Sequence, residues 1–217
     1  KQIKCGDRVM KRVVPIVFSL FFLTILSSCN KDMEETDNIV TGFVTVWTDT
    51  EGKVTVLQDD FGNRYMANDK DNHNAPADTM LRVISLYTIN ADSTIATVLE
   101  TINILSNRAT DISECENNEI KQDPVDVQSV WVSGGYLNAV IGISVHNIPH
   151  ILFMVADTTQ NNRLTFSLYH DRNADPLGAT RNAYISVPLD GYGLEKGDSI
   201  FFSCKEDGAV YNSSFEF

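Results

Sequence analysis

Cys29 carries the most specific chemistry in the sequence. It ends the run Leu26-Ser27-Ser28-Cys29, which has the order of a lipobox: small residues followed by a cysteine whose thiol can accept a diacylglycerol group. Two or three acyl chains hold a protein stably at a membrane, whereas one chain holds it only marginally. We therefore predict that Cys29 is lipidated and that the membrane is a partner of this protein through that anchor.

The residues before Cys29 fit a secretory signal. The run 13–26 is almost entirely apolar and follows the basic pair Lys11-Arg12. It has 14 residues, which is too short to cross a bilayer, because a spanning helix needs about 20 apolar residues. Residues 1–28 are predicted to be a cleaved signal peptide, of which 1–9 are an upstream extension.

A short charged segment follows the cysteine. It resembles the lysine-then-acidic signal that certain Gram-negative anaerobes use to send lipoproteins to the exterior of the outer membrane. Its polar composition also predicts a disordered tether over residues 29–38. We expect an outer-membrane location, facing the exterior. The residues of the predicted export signal are Lys31, Asp32, Glu34 and Glu35.

Two histidines form the most interesting pair in the rest of the chain. His150 and His170 lie at the outer ends of two predicted strands that are joined by residues 157–162. If the hairpin is centred in that connection, the antiparallel register pairs His150 with His170 and Leu152 with Leu168. Both pairs then point to one sheet face, because a one-residue slip would turn the apolar residues out of the core.

These two imidazoles, with Asp171 and Asp175 nearby, could begin a zinc site. Histidines on apolar faces more often cap the end of a core, so we interpret the pair as structural and predict no metal. Each ring is expected to donate a hydrogen bond to a carbonyl or a carboxylate. The run 171–175 is interpreted as an Asx-rich turn, because Pro176 stands where a calcium loop needs glycine.

Three aromatic residues offer a binding function instead. Trp47 lies in the first predicted strand, and Trp131 and Tyr136 flank Gly134-Gly135. Aromatic faces on a barrel can stack on sugars, although the same residues could also belong to a core. We keep these three and the two histidines as candidate binding residues. The sequence has no HExxH, P-loop or GxSxG signature, so we predict a protein without catalysis or a cofactor.

Period-two alternation and β-branched runs predict an all-β fold. A five-stranded OB-like barrel is expected over residues 39–110, followed by a linker at 111–123 and an immunoglobulin-like β-sandwich over 124–217. The predicted strands are 39–48, 53–58, 63–67, 81–90, 94–105, 125–133, 136–145, 150–156, 163–170, 183–189, 199–205 and 210–217. Gly134-Gly135 and Asp207-Gly208 are expected to form hairpin turns.

Charge and cysteine content narrow the function further. The formal net charge is −12, and removal of residues 1–28 takes away five basic residues and one acidic residue, which leaves −16. Because phosphate binding requires clustered Lys and Arg, we predict no nucleic-acid partner. Cys115 and Cys204 could form a disulfide in an oxidising compartment, but one lies in a predicted connection and the other in a predicted core strand, so we expect a buried free thiol at Cys204.

A set of residues spread over both predicted domains carries a family resemblance: Arg82-Val83, Tyr87, Asp123-Pro124, Trp131, Gly134-Gly135-Tyr136-Leu137-Asn138, His150, Leu168-Tyr169-His170, Asn173-Ala174-Asp175 and Tyr184-Ile185-Ser186. With these residues the chain resembles the NigD-like lipoproteins over nearly all of residues 29–217. The resemblance implies an N-terminal OB domain and a C-terminal β-sandwich, and the family's name comes from a gene beside a bacteriocin locus. It implies no catalytic or binding residues.

We interpret the protein as a non-catalytic, outer-membrane-anchored binding or interaction module for a protein or glycan ligand. An accessory or self-protection lipoprotein of a bacteriocin system is the alternative that the family's name suggests. A hydrolase whose site matches no motif is the third possibility.

Lipidation at Cys29 can be tested on the protein isolated from its own cells. Mass spectrometry of the mature N-terminus is expected to show residue 29 with acyl groups and no upstream residues. The Cys29→Ser variant should leave the membrane fraction, because the anchor is then lost. An unmodified terminus at another residue would contradict the prediction.

Overall fold

The computed structural model describes residues 38–69, 75–116, 119–160 and 163–217. The predicted signal peptide, Cys29, Lys31, Asp32, Glu34 and Glu35 lie outside these residues. The all-β prediction is confirmed, since the only other element in the described chain is a 3-10 turn at Ile112–Glu114. The strands are β1 (Asn38–Thr48), β2 (Val54–Asp59), β3 (Arg64–Asp69), β4 (Met80–Ile89), β5 (Ile95–Asn103), β6 (Thr110–Asp111), β7 (Asp126–Ser133), β8 (Tyr136–Val145), β9 (Ile151–Gln160), β10 (Arg163–Asp171), β11 (Ala179–Pro188), β12 (Ser199–Glu206) and β13 (Ala209–Glu216).

The first five strands close into a barrel with the order β1-β2-β3-β5-β4. Antiparallel pairing of β1 with β4 closes it, and β3 pairs with β5 in parallel. Along β1, Val44 and Val46 face the barrel core, whereas Phe43, Thr45 and Trp47 alternate to the outside. The outward residues of β1 are therefore available to contact the sandwich.

The remaining strands form two packed sheets. One has the order β13-β12-β10-β9-β6 and the other the order β11-β8-β7. Their shared core contains Phe166 and Phe202 from the larger sheet and Leu137 and Ile141 from the smaller one, each at most 1% exposed. The barrel and the sandwich belong to one compact unit, Asp37–Phe217.

Two glycines turn β7 back into β8 as predicted. Gly134 and Gly135 have φ of +59° and +82°, which suits a two-residue turn whose central positions both need positive φ. A Cβ atom on Gly134 would lie 2.6 Å from Oδ1 of Asp60 in the barrel. The turn therefore also requires glycine because it abuts the barrel.

Two strands are longer than predicted. β9 continues four residues beyond the predicted end at 156, and β11 begins four residues before the predicted start at 183. The added part of β11, residues 179–182, is exposed, and the added part of β9 is polar in sequence. Apolar alternation cannot reveal strand ends that extend beyond the core.

The chain between barrel and sandwich is paired along much of its length. Leu105 forms a parallel bridge with Ile185, β6 pairs in parallel with β9, and Gln122 bridges to His170. The segment predicted as a linker thus contributes a strand to the larger sheet.

No helix in the described residues is long and apolar enough to cross a membrane.

The two cysteines of the described chain are both free. Cys204 is completely buried in the sandwich core, and burial raises the pKa of its thiol to about 12. Cys115 is partly exposed, next to the 3-10 turn. The structure therefore supports the buried thiol at Cys204 and not a disulfide.

Candidate functional site

A single arginine joins the barrel to the sandwich. Arg82 lies on β4, points out of the barrel and is 6% exposed. Its Nε donates to Oγ of Ser186 at 3.0 Å, and one Nη donates to Oδ1 of Asn138 at 3.3 Å. The same Nη is 2.6 Å from Oδ1 of Asp60 at the end of β2. One buried cation thus bonds to the barrel and to two strands of the smaller sandwich sheet.

Aromatic rings surround this guanidinium group. It lies 4.3 Å from the ring centre of Tyr136 and 5.8 Å from that of Phe43. Trp131 meets Phe43 edge to face, with ring centres 5.1 Å apart. Such cation–π and edge-to-face contacts each contribute about 0.5–2 kcal/mol. Two of the predicted aromatics, Trp131 and Tyr136, therefore come together at the junction.

Ser133 and Asn138, beneath these rings, have their hydrogen-bond partners inside the protein. Ser133 donates to Oδ2 of Asp60 and accepts from Nε1 of Trp131 at 2.9 Å and from Nδ2 of Asn138 at 3.1 Å. Oδ1 of Asn138 accepts a further bond of 2.6 Å from Ser186. Because the serine and the asparagine are both saturated, they support the walls of the junction and neither offers a free polar group.

An open cleft lies beside the network. It has a volume of about 900 Å³ and is lined mainly by apolar surface, including Phe43, Ile84, Trp131 and Tyr184. Gly42 also lines it, and a Cβ atom at Gly42 would have no heavy atom within 4 Å. Missing side-chain volume at Gly42 therefore helps to keep the cleft open.

The β2–β3 turn forms one rim of the cleft. Its tip presents Phe61, which is 92% exposed. The turn is held by Asp59, whose carboxylate accepts hydrogen bonds from the backbone N–H groups of Phe61 and Asn63 and from the Tyr65 hydroxyl. The exposed ring is thus carried on a turn whose backbone is fixed by hydrogen bonds.

Sequence reasoning missed the central residue of this site. Arg82 is the one charged residue of β4, which otherwise consists of apolar and hydroxyl-bearing residues, and this contrast is the signal that could have found it. Trp47, the third predicted aromatic, lies elsewhere on the barrel, where its ring contacts Arg64 at 4.5 Å. The structure therefore divides the predicted aromatics between two places.

The predicted histidine pair forms a separate cluster in the sandwich. Nδ1 of His150 lies 3.0 Å from Nε2 of His170. Nδ1 of His170 is 2.9 Å from the carbonyl oxygen of Asp123, and Nε2 of His150 is 3.2 Å from Oδ2 of Asp175. The predicted bonds to a carbonyl and a carboxylate are thus confirmed.

The predicted register of the β9–β10 hairpin is wrong by two residues. His170 pairs with Leu152, and Leu168 pairs with Met154, while His150 precedes the first residue of β9. A two-residue shift leaves every side chain on the same face, so the apolar pattern does not distinguish the two registers. The two rings still meet, because they lie diagonally on that face.

Hydrogen-bond roles in the cluster follow from its end groups. A carbonyl can only accept, so His170 donates from Nδ1 to Asp123. The carboxylate of Asp175 likewise accepts from Nε2 of His150. Burial lowers the pKa of His170, and the hydrogen bond to the Asp123 carbonyl opposes this effect. The cluster is a buried chain of contacts that runs from the Asp123 carbonyl through His170 and His150 to Asp175.

Asp175 is held ionised by backbone donors. Burial raises the pKa of its carboxyl group, but hydrogen bonds from the backbone N–H groups of His146, Asn147 and Ile148, at 2.7–3.1 Å, outweigh burial and hold that pKa well below its usual range. Within the described chain, no group of three or more His, Cys, Asp and Glu side chains is arranged to hold a metal ion. The hydrogen bonds of Asp175 connect the loop before β9 to the turn after β10.

Removal of the Arg82 side-chain charge should weaken the junction. We expect Arg82→Met to lower the free energy of unfolding by about 3–5 kcal/mol, because the carboxylate of Asp60 is left without its buried partner. Arg181→Met, at an exposed site on β11, should change it by less than about 0.5 kcal/mol. Urea unfolding measures the free energy of unfolding of both variants. If the two substitutions lower it equally, the role of Arg82 at the junction is refuted.

Asp175 should make stability depend on acid pH. Its lowered pKa means that its charge stabilises the fold above the ordinary Asp pKa of about 4, and that this contribution is lost as the pH falls below that value. Asp175→Asn should therefore be less stable than the wild type near neutral pH, and the difference should shrink below about pH 4. Urea unfolding across that range tests this, and a difference that does not change with pH would contradict it.

Comparison with known proteins relates the sandwich half of the chain to one family. Residues 108–211 match the model of the NigD-like C-terminal beta sandwich domain. A NigD-like immunity protein from Bacteroides caccae is 28% identical, with a TM-score of 0.69 over 82% of this chain and 96% of that one. Comparison with curated proteins gives no match.

Two further solved structures share the fold at lower identity. A candidate toxin-related protein from Parabacteroides distasonis is 19% identical, with a TM-score of 0.72 over 83% of this chain and 93% of that one. A candidate lipoprotein from Bacteroides fragilis is 15% identical, with a TM-score of 0.58 over 82% of this chain and 97% of that one. The domain match over residues 108–211 and the shared barrel-plus-sandwich architecture support a relation of this chain to the NigD-like family.

Proposed function

We propose that this protein is a lipid-anchored, non-catalytic binding protein that holds an apolar segment of a partner polypeptide in the cleft between barrel and sandwich. The observation that carries the proposal is the cleft itself, an open concave surface of about 900 Å³ with aromatic and aliphatic walls. Clefts of this size and composition at the boundary of two subdomains are the usual places for ligands.

The polar groups of the cleft indicate what kind of ligand fits. Asp59 is bonded to its own turn, and Asp60 is bonded to Arg82 and Ser133. A charged or heavily hydroxylated ligand would therefore lose its hydration without gaining partners from these carboxylates. Uncharged apolar side chains lose little favourable hydration when they enter the cleft, and they gain contact with Phe43, Trp131 and the other rings.

Apolar surface around the cleft favours a polypeptide over a small molecule. Outside the main cavity, Ile39 is 66% exposed, and Leu105 is 41% exposed. Phe61 and Ile102, on the cleft rim, are 92% and 44% exposed. Apolar residues clustered around a concave site mark an interaction surface, and a rigidly held aromatic is a typical anchor in such surfaces.

The proposed location rests on the lipobox. Anchoring through Cys29 would place the fold nine residues from the acyl chains, since β1 begins at Asn38. The candidate lipoprotein from Bacteroides fragilis supports this location by its shared architecture alone. The charged residues after Cys29 are proposed to direct the protein to the outer face of the outer membrane.

Self-protection in a bacteriocin system is the second candidate function. It is favoured by the likeness to the NigD-like immunity protein, which extends over 82% of this chain at 28% identity. In this function the polypeptide held in the cleft would be the toxin or a component of its system. Toxin genes beside the coding gene would favour this candidate, whereas transport or glycan-processing genes would favour a general binding role.

Cleft binding can be measured with N-phenyl-1-naphthylamine, an uncharged apolar dye whose absorption overlaps tryptophan emission. We expect the full protein to bind it, with energy transfer from its tryptophans to the bound dye. Gly42→Leu should fill part of the cleft, because a Cβ atom there meets no heavy atom within 4 Å, and should weaken binding about tenfold or more, equivalent to about 1.4 kcal/mol.

The matched control adds the same side chain elsewhere. Ser214→Leu, at an exposed position of β13, should bind the dye like the wild type. Displayed peptides can then be selected on the wild type, and those that also bind Gly42→Leu are removed. We expect the remaining peptides to have an apolar, uncharged centre. The proposal fails if Gly42→Leu binds the dye normally or if no peptide distinguishes the two proteins.

A further inference from the structure

A second surface of the barrel differs in chemistry from the cleft. Trp47, Val56, Met66 and Ile95 are consecutive cross-strand neighbours on β1, β2, β3 and β5, and all four point out of the barrel. Met66 is 64% exposed and Ile95 is 44% exposed. With about 4.8 Å between neighbouring strands, the row continues for roughly 14 Å around the barrel. We call this row and its polar flanks the Trp47 face.

Polar side chains flank the row on both sides. Gln58 and Arg64 pair across β2 and β3 on one side, and Asn68 and Thr97 pair across β3 and β5 on the other. Within the described chain no hydrogen bond is made by the side chains of Gln58, Asn68 or Thr97. Their donors and acceptors therefore face solvent, unlike the saturated groups of the cleft.

The charge of this face is the opposite of that of the whole protein. Arg64 is exposed, packs on the Trp47 ring at 4.5 Å and has no carboxylate partner among the described residues. None of the residues in the three rows is acidic, although the chain has a formal net charge of −12. An anionic group can therefore approach Arg64 along this face.

We infer that the Trp47 face binds an acidic oligosaccharide. An apolar row can contact the C–H faces of successive sugar rings, and the free amides and hydroxyl on either side can bond to their hydroxyl groups. The guanidinium group of Arg64, which lies over the Trp47 ring, matches a carboxylate or sulfate on the sugar. A hydrophobic peptide would leave these flanking polar groups unpaired, which makes a glycan the better fit.

The site is independent of the proposed cleft function. The Trp47 face lies on the exposed side of β2 and β3, the side on which OB-fold barrels bind oligosaccharides, whereas the cleft lies where the barrel meets the sandwich. Chondroitin sulfate and polygalacturonate serve as acidic probes, and dextran serves as the neutral probe. Binding of the full protein to each is measured by affinity electrophoresis near physiological ionic strength, where charge repulsion beyond about 8 Å is screened.

We expect retardation by at least one acidic polysaccharide and weaker or no retardation by dextran. Arg64→Gln should weaken that binding about tenfold, because a charge-assisted hydrogen bond is lost. Trp47→Ala should abolish it, and Asn68→Ala, at an exposed position that the barrel does not need, should weaken it about fivefold. Lys205→Gln, which removes an exposed cation on β12, should have no effect.

Two outcomes overturn the inference. One is the absence of retardation by both acidic polysaccharides. The other is retardation that survives Arg64→Gln and Asn68→Ala unchanged. Gly42→Leu distinguishes this site from the cleft, because the variant should bind the naphthylamine dye weakly and still bind the polysaccharide. If Gly42→Leu loses the polysaccharide as well, the glycan binds in the cleft and the Trp47 face is not its site.

Discussion

The junction between barrel and sandwich depends on how the buried charge of Arg82 is satisfied. Removing a guanidinium group from water costs several kcal/mol, and good geometry with additional hydrogen bonds is needed to offset it. Here the compensating groups come from three strands: Asp60 follows β2, Asn138 lies on β8 and Ser186 on β11. A tilt of the barrel against the sandwich would separate at least one of these from Arg82. The shape of the cleft is therefore set by the polar network beside it.

Much of the fold could be predicted because its strands obey simple alternation. Alternation along β8 assigns Leu137, Ala139 and Ile141 to its apolar face, and each is at most 1% exposed in the core. It assigns Tyr136 and Asn138 to the opposite face, outside the core. Asn138 is fully buried, because the barrel covers this second face of the sheet. Period-two patterns show which side chains share a face but not what packs on that face.

The candidate site was harder to predict for a related reason. Trp131, Tyr136 and the two histidines could be selected by residue type alone, but the partners that define their environment are distant in sequence. Asp175 was interpreted as part of an Asx-rich turn, and the three backbone N–H groups that hold it come from a loop almost thirty positions earlier. The residues behind the family resemblance nevertheless fall largely into two groups. Arg82, Trp131 and Asn138 belong to the junction, and His150 and Asp175 belong to the sandwich cluster.

The long sequence separations at the junction also have a kinetic consequence. Ser186 lies 104 positions after Arg82, and Asn138 lies 56 positions after it. Closing such long loops before the barrel and the two sheets exist would cost chain entropy without compensating contacts. The guanidinium group should therefore find its partners only after the folding transition state, when both halves are already built. Changes at this contact would then act mainly on the rate at which the folded protein opens and much less on the rate at which it forms. The lifetime of the folded state against proteolysis would then depend on this one buried cation.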